Sequence, residues 1–334
     1  MNPLRSIPRT GRAAAAAWRR NRRPGPWLGV LACLAVSVPA AHSREREQAP
    51  VPDRVELMLP GPEEIQILTL KSGSTLIGRI VEISEDEVRF TGEDLDLRIP
   101  VADIREVRSV PASAVRSGSY WFPNPNSTRH FFAPTARTLP QGSGYLADHL
   151  LFFPSVTYGI TDNVTLGGGV SLFPGVSFDE QLAFVTPKVG WKLGERFDLA
   201  VGALLVAIPG EAGAAERDHG EADGGGFDGA GIVFSVATWG TPDASVTAGL
   251  GHGYAEGDWA DQPMLMLGGE RRVSRRISLV SENWVFPGLD GPLVSVGARF
   301  MGERLSVDFA IAHMLGDPDA WLPLVGFAFG FGDP

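Results

Sequence analysis

The stretch Asn163–Gly175 alternates Val164, Leu166, Gly168, Val170 and Leu172 with Thr165, Gly167, Gly169 and Ser171. A period of two is the mark of a β-strand, whose successive side chains leave opposite faces. The same period recurs through the second half of the chain. Val185, Pro187, Val189 and Trp191 share a face against Lys188 and Lys192, and Leu199, Val201 and Ala203 oppose Asp198, Ala200 and Gly202. Further on, Val294, Val296, Ala298 and Phe300 oppose Ser295, Gly297 and Arg299, while Val307, Phe309 and Ile311 oppose Ser306, Asp308 and Ala310. A sheet over a soluble core would clothe its second face in charge. Here that face is mostly Gly, Ser, Thr and Ala with a few ions, which suits the lumen of a barrel whose apolar face meets lipid. The opposite arrangement, a soluble periplasmic ligand-binding barrel, requires the apolar face to point inward.

The connections carry a second pattern. Short ones at 161–163, 194–196, 241–244, 274–276 and 302–304 alternate with longer ones at 139–143, 174–181, 209–229, 255–262, 287–292 and 315–320. With a first strand over 128–138, this predicts an antiparallel up-and-down transmembrane β-barrel of about twelve strands across 128–334. An even count leaves both barrel termini on the short-turn side. Aromatic residues collect towards the two strand ends. Tyr158, Trp191 and Trp239 lie near short turns and Tyr254 and Trp321 near long connections, as interfacial belts require.

The first half differs. Residues 65–110 form short alternating segments broken by Ser-Gly, Glu-Asp and Gly-Glu-Asp turns, so the chain reads as all-β throughout, a small β-domain followed by the barrel. Pro-rich, polar linkers flank this domain at 44–64 and 111–127. The first 43 residues hold seven Arg, no acid, and the apolar run WLGVLACLAVSVPA before AHS, the layout of an export signal cleaved near Ser43. Cys33, in that run, is the only cysteine, so the mature chain has neither a disulfide nor a Cys-ligated metal; "VLAC" also loosely resembles a lipoprotein acylation site.

The net charge of −10 becomes more negative once the basic leader is removed, which argues against a nucleic-acid partner. On the small-residue face, Lys188, Lys192, Asp198, Glu282, Arg299 and Asp308 are the candidate pore-lining residues, either lining a channel or pairing to plug it. No metal site and no cofactor are expected. The acidic segment 211–228 lacks the ligand spacing of a calcium loop. An enzymatic alternative would use His149, His252 or His313 with Ser155 or Ser245 to hydrolyse or transfer a lipid acyl group, but no nucleophile motif accompanies them.

Two resemblances follow from these stretches. LKSGSTLIGRIVEI, with Gly78 in a bent second strand, resembles the Sm-like and SH3-like small barrels. The run NSTRHFFAPTARTLPQGSGYLADHLLFFPSVTYGITDNVTLGGGVSL, with ISLVSENW and the closing LVGFAFGF, is similar to a group of uncharacterised bacterial outer-membrane β-barrel proteins over 126–334. Such a likeness implies location in the bacterial outer membrane, contact with its lipid, and recognition of the aromatic last strand by the outer-membrane assembly machinery. The small domain would then sit in the periplasm, available to a protein partner through 65–110. The functional expectation is a non-enzymatic narrow pore or envelope scaffold, with a lipid-modifying enzyme as the alternative.

Overall fold

The computed structural model describes residues 56–207, 229–255, 258–317 and 319–332. The leader 1–43 with Cys33, most of the first linker, and the acidic segment 211–228 with His219 lie outside the described residues.

Five strands come first: β1 Glu64–Leu70, β2 Thr75–Ile83, β3 Glu87–Thr91, β4 Asp96–Pro100 and β5 Ile104–Pro111. They pair antiparallel in the order β4-β3-β2-β1-β5. Leu68, Ile80, Val88, Phe90, Ile99 and Ile104 form their buried core. A Cβ at Gly78 would lie 2.2 Å from the Thr91 carbonyl, so the β2–β3 approach requires glycine there. A short hairpin follows, β6 Val115–Arg116 with β7 Ser119–Tyr120.

The larger body is built from β8 Gly144–His149, β9 Phe153–Thr161, β10 Val164–Val170, β11 Ala183–Lys192, β12 Phe197–Ala207, β13 Gly229–Thr241 and β14 Ala244–Ala255, with the two-residue β15 Asp258–Trp259 beside β14. It continues through β16 Met264–Ser274, β17 Ile277–Val285, β18 Leu293–Met301, β19 Leu305–Met314 and β20 Trp321–Phe331. Apart from β15, each strand pairs antiparallel with its neighbours, and β20 pairs back onto β8 from Phe331↔Gly144 to Gly326↔His149. The result is a closed twelve-strand barrel, which leaves no long exposed edge. Among the described residues no helix is long and apolar enough to cross a membrane; any crossing would be made by strands.

The faces follow the alternation in the sequence. Leu166, Val185, Val201, Val246, Leu267 and Val296 are exposed on the outside, while Thr165, Lys188, Ala200, Thr247, Glu270 and Ser295 are buried inside. Tyr158, Trp191, Trp239 and Trp321 are exposed on the outer face, and Tyr254 is half-buried against the Trp259 ring. Two outward polar residues find partners on the wall itself: Ser281 Oγ donates to the Ser295 carbonyl and Asn283 Nδ2 to the Leu267 carbonyl.

The count of twelve stands, but its first members differ from the expectation. Residues 128–138 are not a barrel strand. They enter the lumen and return as a tight turn, with His130 N bonded to Ala133 O and Thr135 N to Thr128 O. The missing strand is supplied by dividing 144–160 in two. Leu150 and Leu151, at φ 58° and 64°, turn the chain between β8 and β9. Positive φ is unusual for leucine, and the pairing of β8 with both β9 and β20 holds the turn in place. The segment 111–127 is likewise more than a linker: Phe122, Asn124 and Asn126 are buried.

Candidate functional site

The lumen is divided along the barrel axis. Its short-turn half is polar and filled by residues 122–139, which we term the plug. Several polar groups of the wall there bond the plug backbone, and others bond plug side chains. Glu282 Oε2 accepts the N–H groups of Phe131, Phe132 and Ala133 at 2.8, 2.9 and 2.9 Å, and its Oε1 accepts Trp284 Nε1 at 2.7 Å. Lys188 Nζ donates to the carbonyls of Thr135 (3.0 Å), Arg137 (2.6 Å) and Thr128 (3.4 Å). Thr238 Oγ1 accepts Ala136 N at 2.8 Å, and Thr165 Oγ1 accepts Leu139 N at 3.1 Å. A non-strand segment carries many backbone donors and acceptors, and each must be satisfied once buried. The small polar residues of the inner face are that complement.

Arg299 is the centre of the packing. It is fully buried, with Nε on Asp308 Oδ1 (2.7 Å) and Nη1 on Glu270 Oε2 (2.9 Å). The same guanidinium also donates to the carbonyls of Asn126, Arg129 and His130 at 3.0, 3.3 and 2.6 Å. Arg129 reaches back to Asp308 at 3.4 Å, and Arg137 to Asp198 at 3.4 Å. Glu270 Oε1 holds Asn124 Nδ2, while Arg272 caps the Phe122 carbonyl and pairs with Asp243. His130 is fully buried over Gly268, where a Cβ would come within 2.5 Å of the imidazole; glycine is what allows that approach.

Of the six candidate lumen residues, the structure therefore brings Lys188, Glu282, Arg299 and Asp308 onto the plug directly, and Asp198 through Arg137. Lys192 differs. It is the last residue of β11, exposed at the strand end beside the short turn, and takes no part in these contacts although its cross-strand partner Asp198 does. Sequence reasoning missed the plug residues Arg129, His130 and Arg137, and the wall residues Glu270 and Arg272. The available signal was the placement of Pro123, Pro125 and Pro134 in 122–139, which argues against a central strand.

The other half of the lumen, at the long-connection ends of the strands, is lined differently. Leu204 and Val206 of β12, Ile232 and Phe234 of β13, and Met264 and Met266 of β16 line it, joined by Trp284 of the adjacent β17 and by Phe286. Between these walls and the plug tip at Phe132 lies a cavity of about 600 Å³. Arg129, His149, Lys188 and Glu282 reach it at the plug end.

The histidines do not assemble a hydrolytic centre. His149 packs on the Phe132 ring at 5.5 Å, His252 contacts the Ala260 carbonyl at 2.6 Å from the outer face, and His313 stacks on Trp321 at 4.0 Å. Ser155 Oγ contacts the Ala147 carbonyl at 3.4 Å, and Ser245 Oγ accepts from Arg137. Among the described residues no group of three or more His, Cys, Asp or Glu side chains is placed to hold a metal ion.

The small sheet is tied to the barrel at its turns. Arg108 makes a two-pronged contact with Glu303 (2.9 Å each), and Arg116 pairs with Asp243 at 2.9 Å. The bond from Arg108 holds the Glu303 carboxyl below the usual glutamate range, and the reciprocal bond raises the Arg108 guanidinium.

No protein-family model and no curated protein matches this sequence. Among solved structures it is similar to the KdgM porin (TM-score 0.42, 11% identity, covering 57% of this chain and 99% of that one). It is also similar to the NanC porin (TM-score 0.35, 7% identity, 56% and 97%). A loop-deleted form of OmpT, an outer membrane protein of Vibrio cholerae, matches at TM-score 0.32 and 13% identity over 80% and 96%. The barrel assignment stands on this chain's own strand pairing.

Proposed function

We propose that the chain is a non-enzymatic bacterial outer-membrane barrel of the pore class, held shut by its own plug. The observation that carries this is the match between plug and wall: backbone groups of 126–139 are bonded one by one to Glu282, Arg299, Lys188, Thr238 and Thr165. The exposed apolar outer face, with Trp191, Trp239 and Trp321 at its ends, supports insertion in a membrane, and the export-type leader supports a route to the outer one. Passage of a solute past this plug requires the plug to move. The enzymatic alternative loses ground because no described serine is bonded to a histidine. Residues 65–110 are read as an Sm/SH3-like interaction module at the periplasmic mouth. The strand order β4-β3-β2-β1-β5 and the glycine at position 78 of β2 support that reading.

Planar-bilayer recording tests the proposal. The intact protein is expected to be silent, whereas Glu282→Gln combined with Arg137→Ala, which loosens the plug at two points, is expected to give ion steps. Steady open steps from the intact protein would contradict the closed state, and silence of the loosened variant would favour an envelope scaffold.

A further inference from the structure

The cavity above the plug is unlike a channel vestibule. A water-filled pore is lined by polar side chains, yet the walls here are Leu204, Ile232, Phe234, Met266, Trp284 and Leu324. Water gains little in such a space, and an apolar ligand gains much. The volume of about 600 Å³ falls within the range of roughly 300–1,000 Å³ typical of small-molecule sites. Methionine at 264 and 266 adds a wall that adapts to the shape of a flexible guest.

The end of the cavity nearest the plug is charged, and its charges are not balanced alike. Glu282 is saturated by four N–H donors. Arg129 faces Asp308 through Nη1, but its buried Nε and Nη2 have no hydrogen-bond partner. Lys188 is buried and bonded only to backbone carbonyls, without a carboxylate among the described residues. A buried ammonium without a counter-ion is costly, and an anionic group delivered by a ligand would relieve it.

We propose that this cavity binds a single-chain amphiphile with a carboxylate head, its aliphatic tail against the loop-side walls and its head on Lys188 and Arg129. Binding of this kind is independent of whether the plug ever leaves the lumen, so it goes beyond the closed-pore reading. Head-first entry places the one charged part of the ligand at the one charged part of the cavity.

The test uses the full-length exported chain in lipid nanodiscs and a fluorescent conjugated-polyene C18 carboxylic acid, with empty nanodiscs as the partition control. One saturable site per barrel is expected above that control. Palmitate should displace the probe about tenfold better than hexadecanol, the size of effect expected for a charge-assisted contact. Lys188→Met should erase that preference, palmitate losing more affinity than hexadecanol. Ile232→Trp, which fills the cavity from the wall, should weaken both competitors and the probe about tenfold or more. Heat-modifiable gel migration reports whether each variant is folded. Binding no greater than in empty nanodiscs, or a folded Ile232→Trp that binds as wild type, would overturn the site. Equal displacement by palmitate and hexadecanol in the wild type would overturn the head-group assignment and requires no variant.

Discussion

The two halves of the lumen face the same problem, how to occupy the inside of a twelve-strand barrel, and solve it differently. In the short-turn half the wall presents Thr165, Lys188, Thr238, Glu270, Glu282, Arg299 and Asp308, and the chain's own segment 122–139 bonds to each of them. In the long-connection half the wall presents Leu204, Ile232, Phe234 and Met266, and no described segment fills it. A polar lumen surface demands partners, and here the partner is covalently attached. An apolar surface demands only exclusion of water, so it can be left for a guest. The strands are continuous through both halves, and the division lies in side-chain chemistry alone.

The comparison is broken most severely at Arg299. Arg299→Met leaves Glu270 without its cationic partner, leaves Asp308 with Arg129 alone, and removes a donor from three plug carbonyls. A loss of about 3–5 kcal/mol is expected, the usual cost of removing one partner from a buried ionic cluster, measured as a lowered denaturant midpoint in detergent. A change of similar size in the other half, Ile232→Ala, should cost less than this, because that side chain borders a cavity instead of a filled core.

Next comes the outer wall. Val201 is exposed at mid-strand, and Val201→Arg should impair membrane insertion by roughly 2–4 kcal/mol, read as the unfolded fraction in a vesicle-folding titration. Tolerance of Arg at this position would count against a lipid-facing exterior for both halves.

Glu282→Gln is smaller and more selective. An amide oxygen still accepts, but without charge, so the three N–H bonds at the plug tip weaken. About 1–3 kcal/mol of plug stability should be lost. Faster proteolysis at 129–134, with the barrel strands still resistant, would show that the loss is confined to the polar half.

The smallest expected effect lies outside the barrel. Arg108–Glu303 is about half exposed, so Glu303→Gln should change overall stability by under about 1 kcal/mol. Its pH dependence has a definite sign. The Glu303 carboxyl is lowered in the folded state, chiefly by the bond from Arg108. The contact's contribution is therefore complete above the unfolded-chain value of about 4.3 and is lost as pH falls through the lower folded value. A fluorescence distance between the small sheet and the 302–304 turn should lengthen on acidification in the wild type and stay flat in Glu303→Gln.

Much of the barrel is legible in the sequence because its signal is local. Each strand states its faces by alternation, and each short turn marks a reversal, so the lumen placement of Lys188, Glu282, Arg299 and Asp308 can be read without pairing information. The plug is not legible in that way. His130, Phe131 and Phe132 satisfy no period, and their bonds run to residues 150 positions away, such as Glu282. The turn at Leu150 and Leu151 is hidden for the opposite reason: it lacks the Gly, Asn or Pro that usually signals one, and tertiary pairing imposes it. Reading 128–138 as a strand and 144–160 as one more gave the correct total from two compensating errors. The ionic cluster was half visible. Its wall members lie on periodic strands, whereas Arg129 and Arg137 sit in a segment whose partners only the closed barrel defines.

Hydrogen exchange of the membrane-embedded protein tests the plug most directly. The amides of Phe131, Phe132, Ala133, Ala136 and Leu139 are each bonded to a barrel-wall side chain. They are expected to exchange as slowly as amides in the barrel strands, with 131–133 accelerating selectively in Glu282→Gln. Exchange of this segment at the rate of an exposed linker, with the strands still protected, would contradict the account.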